Sequence, residues 1–160
     1  MISTAAGVFR YVPPTTPQGA WDVTCLLVQP TSDIVATDFD GDGKLEILTF
    51  SKFHGDTLAI WHEGQTRDRY EQVWCDPQKR SFLHALWAAD LNGEKCAVIG
   101  NRKDGRDLLL VRYVDGEYTV DVIDHDLGPA NCMVYRHDGS DYIVAAYRET
   151  DQLALYKVVE

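Results

Sequence analysis

The chain has 160 residues and a mass of 18.0 kDa, with 25 acidic and 15 basic residues and a formal charge of −10. A hydrophobic fraction of 45% beside 25% charged residues is a globular composition with room for one domain, which excludes general disorder. No apolar run approaches the roughly 20 residues of a membrane helix, and the acidic balance argues against a phosphate-backbone binder, so neither membrane nor nucleic acid is an expected partner.

The first strands read from the sequence are Val8–Val12 and Trp21–Leu27, with Pro13, Pro14 and Pro17 in the connection, where a missing N–H breaks no ladder. Ile34–Thr37 and Glu46–Phe50 follow across an acidic, glycine-containing turn, and then the hairpin LAIWHEGQTRDRYEQVW from Leu58. A second cycle runs from Leu86–Ala89 through Ala97–Gly100 to the hairpin LLLVRYVDGEYTVDVI from Leu108. A third runs from Cys132–Tyr135 through Tyr142–Ala146 and stops after Leu153–Tyr156. The runs are short, alternate with period two, and are bounded by Gly, Asp, Asn or Pro; nowhere does an apolar stripe of helical spacing extend over eleven residues. The chain is therefore predicted to be all-β.

Repetition narrows the architecture. Asp38-Phe39-Asp40-Gly41, Asp90-Leu91-Asn92-Gly93 and Arg136-His137-Asp138-Gly139 recur at spacings of 52 and 46 positions, each between two apolar strands. A repeat of that length holding four strands is one propeller blade. The prediction is a partial β-propeller of about three four-stranded antiparallel blades, divided as 1–32 (partial), 33–82, 83–130 and 131–160 (partial). Closed propellers have 4–8 blades, so a second copy or a partner chain is expected to complete the ring.

The chemically richest segment is Asp38-Phe39-Asp40-Gly41-Asp42-Gly43-Lys44-Leu45-Glu46. Its acids at relative positions 1, 3, 5 and 9 suit Ca²⁺, a hard cation that takes six to eight oxygens, and the Lys44 carbonyl at position 7 adds another. An EF-hand would need a bidentate acid at position 12, where Thr49 stands, and helices where strands are expected. This segment resembles the FG-GAP/VCBS repeats of β-propellers, whose blades carry D-x-D-x-D-G-x-x-D/E between their first two strands. The resemblance implies that Asp38, Asp40, Asp42 and Glu46 ligate structural Ca²⁺ through side chains, with Lys44 contributing its carbonyl. Only the first blade holds the full motif; Asp90 and Asn92 remain of the second, and Asp138-Gly139-Ser140-Asp141 of the third.

A second candidate site is the rim formed by the loops between second and third strands. His54, Arg102 and Arg148 stand in those loops, and His84 and Asn131 precede the first strands of the following blades. Gathered in one funnel, His54, His84, Arg102, Asn131 and Arg148 would suit an anionic or polyhydroxylated ligand such as a carbohydrate. The phrases HALWAADLNG…VIGNRK and GPAN…AAYRET also look like the propellers of some polysaccharide lyases and sugar dehydratases. That likeness implies His84, Arg102 and Arg148 as candidate catalytic groups, with His84 as base and an arginine neutralising a carboxylate. No G-x-S-x-G, H-E-x-x-H or P-loop supports an enzyme. The expected function is a calcium-binding interaction scaffold, with a lyase or dehydratase acting on uronate-type or keto sugars as the alternative.

Cys25, Cys75, Cys96 and Cys132 form no C-x-x-C pair and sit in apolar stretches, so they are expected as buried free thiols. The four tryptophans are expected in the packing between blades. MISTAAGVFRYV lacks a basic segment followed by an apolar one, so a cytoplasmic location is the default expectation.

Overall fold

The computed structural model describes residues 1–159, which form fourteen strands and no helix. Four antiparallel sheets follow one another in chain order. The first holds β1 (Ile2–Thr4), β2 (Gly7–Val12) and β3 (Asp22–Leu27). The second holds β4 (Thr31–Thr37), β5 (Glu46–Ser51), β6 (Thr57–Glu63) and β7 (Tyr70–Cys75). The third holds β8 (Leu83–Leu91), β9 (Glu94–Asn101), β10 (Leu108–Val114) and β11 (Glu117–Asp124). The last holds β12 (Pro129–His137), β13 (Ser140–Tyr147) and β14 (Gln152–Lys157).

This is the all-β, blade-like architecture expected, with sheets of three, four, four and three strands and no closed barrel. The three-residue β1 is additional. It is too short to show alternation, and its turn is closed by the Thr4 hydroxyl, which accepts from the backbone N–H groups of Ala6 (3.0 Å) and Gly7 (3.2 Å).

Two-residue turns close three of the hairpins: Asn92-Gly93, Asp115-Gly116 and Asp138-Gly139 all have positive φ at both positions. That is the type I′ geometry which matches strand twist, and Asn, Asp and Gly bear it at least cost. The first strand pair of each of the last three sheets carries a bulge at the same place, skipping Ser32, His84 and Ala130. A second bulge recurs in β6–β7 and β10–β11, and β2–β3 shares it. By that register β2–β3 matches the third and fourth strands of the complete sheets. The first sheet thus lacks an innermost strand and the last lacks an outermost one.

Each pair of neighbouring sheets shares its own core. Val8, Leu26, Leu27 and Ile47 join the first two; Phe50, Leu58, Ile60, Ile99 and Leu109 join the second and third; Leu108, Cys132, Ile143 and Tyr147 join the third and fourth. Polar ties reinforce these seams, as two cases show. Between β7 and β8, buried Arg80 lies 2.9 Å from Asp76 and 3.6 Å from Asp107 of the third sheet's loop. The Tyr156 hydroxyl meets Tyr147 at 2.5 Å and donates to Asp124 of β11 at 2.6 Å. At Gly100 of β9 a Cβ would come within 2.5 Å of Pro129, so the close approach of β9 and β12 requires glycine.

Two sequence expectations need correction. Cys96 and Cys132 are buried, but Cys25 is half-buried and Cys75 is exposed at the end of an outermost strand. Trp61 and Trp74 pack against the cores, whereas Trp21 and Trp87 are exposed. Trp21 precedes β3 in the β2–β3 connection, and Trp87 lies along β8 beside a groove shared with Met133 and Val144.

Candidate metal centre and inner rim

The acidic segment occupies the turn from β4 to β5, whose last strand pair is Thr37↔Glu46. Gly41 and Gly43 both adopt positive φ, which lets the eight intervening residues curl. The acids organise this loop in a regular way. Asp38 Oδ2 accepts from Gly43 N–H (3.0 Å), Asp40 Oδ1 from Asp42 N–H (3.0 Å), Asp42 Oδ1 from Lys44 N–H (2.8 Å) and Glu46 Oε2 from Phe39 N–H (2.6 Å). Each carboxylate therefore uses one oxygen to hold the backbone and keeps the other.

Three of the four acids converge with a histidine. Asp40, Asp42, Glu46 and His62 each present an atom within 4.8 Å of the others, a set able to hold a metal ion. Glu46 is completely buried, yet its Oε1 has no hydrogen-bond partner; Asp38 Oδ1 is buried and unpartnered as well, although Asp38 lies outside the 4.8 Å set. Lys44 lies within the turn, its N–H held by Asp42. Burial and the neighbouring Asp40 and Asp38 charges push the Glu46 carboxyl upward, against the pull of the Phe39 N–H. Asp42, exposed and hydrogen-bonded by Lys44 N–H, is drawn below the usual carboxylate range.

His62 is the member that sequence reasoning missed. It stands on β6, one position past the Ile47↔Trp61 pair, so it lies beside Glu46 on the neighbouring strand. Its Nδ1 meets the Glu63 carbonyl at 2.8 Å, which makes it the donor there, and Nε2 lies 3.2 Å from Asp42 and 3.6 Å from Glu46. Burial lowers the His62 pKa, but that carbonyl and the two carboxylates outweigh it, and the net shift is upward.

A cleft of about 640 Å³ opens beside the loop, between the second and third sheets. Asp40, Asp42, His62, Trp74, Tyr113 and Tyr118 are among its lining residues. The Tyr118 ring lies 6.0 Å from Trp74 and 4.8 Å from Tyr113.

The equivalent turns of the later sheets are built differently. Asp90 pairs with Lys95 at 2.7 Å and accepts from Gly93 N–H. Asp141 is buried, accepts from Asn92 N–H (2.9 Å) and faces Arg136 at 3.5 Å. Their carboxylates already have partners.

At the inner rim, three of the five sequence-predicted residues come together. The rings of His54 and His84 stack 5.5 Å apart, Phe82 lies 4.0 Å from His54, and the Arg102 guanidinium sits 5.0 Å over Phe82. His84 Nδ1 donates to the Ala130 carbonyl (2.9 Å), leaving Nε2 as acceptor in the neutral ring. His54 is shifted down by desolvation and by the adjacent His84 and Arg102. Arg102 is bound to Glu149 at 2.5 Å, so its charge is already matched. Asn131 and Arg148 share no hydrogen bond, ion pair or ring contact with this group among the described residues. Asn131 caps Cys132 N–H and lines a groove with Trp87, and Arg148 lines a separate one with Asp151. The bulge explains Asn131: in register, His84 corresponds to Ala130, one residue earlier.

Among the described residues no helix is long and apolar enough to cross a membrane. No protein-family model matches the chain, and no curated protein matches it.

Proposed function

We propose that this protein is a calcium-binding, blade-built scaffold of the FG-GAP/VCBS type, and that it binds ligands beside its metal loop. One observation carries the reading: a fully buried glutamate, Glu46, has a carboxylate oxygen with no hydrogen-bond partner, and it belongs to a group with Asp40, Asp42 and His62 whose polar atoms lie within 4.8 Å of one another. A buried carboxylate oxygen without a hydrogen bond is costly, and a divalent cation removes that cost. The donor set is mainly hard oxygen, which favours Ca²⁺. His62 supports the site as a hydrogen-bond partner of Asp42, an outer-shell role of the kind that orients ligands.

The carbohydrate expectation finds its better support at the cleft than at the rim. Trp74, Tyr113 and Tyr118 supply aromatic rings for sugar rings, and Asp40 and Asp42 supply acceptors for hydroxyl groups. The lyase or dehydratase alternative receives less: Arg102 is engaged by Glu149, and Arg148 lines another groove.

The test is calorimetric titration of chelator-stripped protein with Ca²⁺. One site per chain is expected, abolished by Asp40→Ala and by Glu46→Gln. Absence of binding heat from the wild-type chain, or full binding by both variants, would overturn the metal reading.

A further inference from the structure

We infer that two copies of this chain pair head to tail, the outer face of the first sheet of each seated on the outer face of the last sheet of the other. The inference stands on the sheet faces and is independent of the metal.

The register defines both faces. In β13, Asp141, Ile143, Ala145 and Tyr147 are buried toward the third sheet, so the alternate residues look away. Across the last sheet these give the rows Met133–Val144–Leu155 and Asn131–Ala146–Leu153. Leu153, Leu155 and Met133 are 78%, 59% and 42% exposed. In the first sheet Val8 packs on the second sheet and Arg10 pairs with Asp68 there. The opposite face carries the rows Ile2–Phe9–Cys25 and Tyr11–Val23, with Ile2 and Val23 about half exposed. No carboxylate interrupts these rows, in a chain that carries 25 acidic residues.

The occupant follows from repetition. Within the chain, each sheet that has a successor packs its forward face against the rear face of that successor, three times over. The last sheet has a bare forward face and the first a bare rear face. Together they are the two halves of one more contact of the same kind. The chain does not make that contact with itself: no core cluster joins β1–β3 to β12–β14, and no side-chain hydrogen bond or ion pair does so among the described residues. Two copies related by a two-fold axis satisfy both ends of both chains, and four sheets from each make a ring of eight, within the size range of propellers.

The experiment is light scattering on a sizing column at micromolar loading, with circular dichroism confirming that every sample retains its sheets. The wild-type chain is expected at twice its 18.0 kDa. Leu155→Glu and Val23→Lys alter opposite faces at exposed positions, and each alone is expected to weaken association about thirtyfold or more, giving monomers. Mixed together, the two variants are expected to pair again: one junction is native on both sides, and the other sets Glu against Lys on the opposed faces. A monomeric wild type, including one that associates only with a different protein, would overturn the inference. So would a Val23→Lys chain that still dimerises, which would mean that last sheets pair with each other. A ladder of larger masses would overturn the closed two-fold ring.

Discussion

The turn between β4 and β5 and the turn between β8 and β9 occupy the same place in successive sheets, yet they solve the problem of reversing the chain by different chemistry. Asn92-Gly93 does it with two residues at positive φ. The earlier turn uses eight residues, and four of their N–H groups are each held by a carboxylate. In the short turn the acid, Asp90, is neutralised by Lys95. In the long turn, among the described residues, no basic side chain approaches within ion-pair distance except His62. A loop that uses one oxygen of each acid for its own backbone has oxygens left that could hold a cation.

Exchanging the turns is the strongest test of that difference. Replacing residues 38–45 by Asn-Gly should leave the sheet spectrum intact and abolish the calcium-dependent rise in stability. At a hundredfold excess over Kd that rise is about 2.7 kcal/mol, and thermal melts with calcium or chelator would show it. A melting shift that survives the exchange would place the cation elsewhere.

Glu46→Gln is expected to stabilise the calcium-free chain by about 1–2 kcal/mol, because it removes a buried charge without changing shape. Denaturant midpoints measured in chelator read this directly; a large loss of stability would mean that the Glu46 charge is compensated without metal.

At the short turn, Gly93→Ala meets no atom within 4 Å, so its cost is backbone strain alone. About 1 kcal/mol is expected, unaffected by calcium. A calcium-sensitive loss would show that the two turns are coupled.

The smallest effect is a rate. Burial pushes the Cys96 thiol up to about 11 and the Cys132 thiol up to about 12, so both should resist alkylation at pH 8 while exposed Cys75 reacts. Cys96 pairs with Ala89 just behind the short turn, and its labelling reports opening of that hairpin. Mass spectrometry of peptides from timed alkylation would check it; rapid Cys96 labelling in the native protein would contradict the packing described.

The strands and short turns were legible because alternation and the Asn-Gly and Asp-Gly pairs are local signals. The four acids were legible for the same reason, lying within nine residues of one another. His62 was not, because its approach to Glu46 depends on the β5–β6 register, which a single sequence does not reveal. Asn131 was misjudged by one position, since the bulge at Ala130 turns the chain to the other face. Exposed Trp21 and Trp87 show that an aromatic near or within a strand identifies the element but not which side is covered.

The separate cores between sheets have a consequence for how the molecule comes apart. The clusters share no residue, so cooperativity must pass from neighbour to neighbour, as in a one-dimensional array. The seam of the first sheet rests on four buried apolar residues, against ten between the second and third. Amide hydrogens of β1–β3 should therefore exchange through a local opening well before those of β9 and β10. The molecule frays from its amino-terminal blade inward, and docking of a second chain on that blade would slow the exchange at its source.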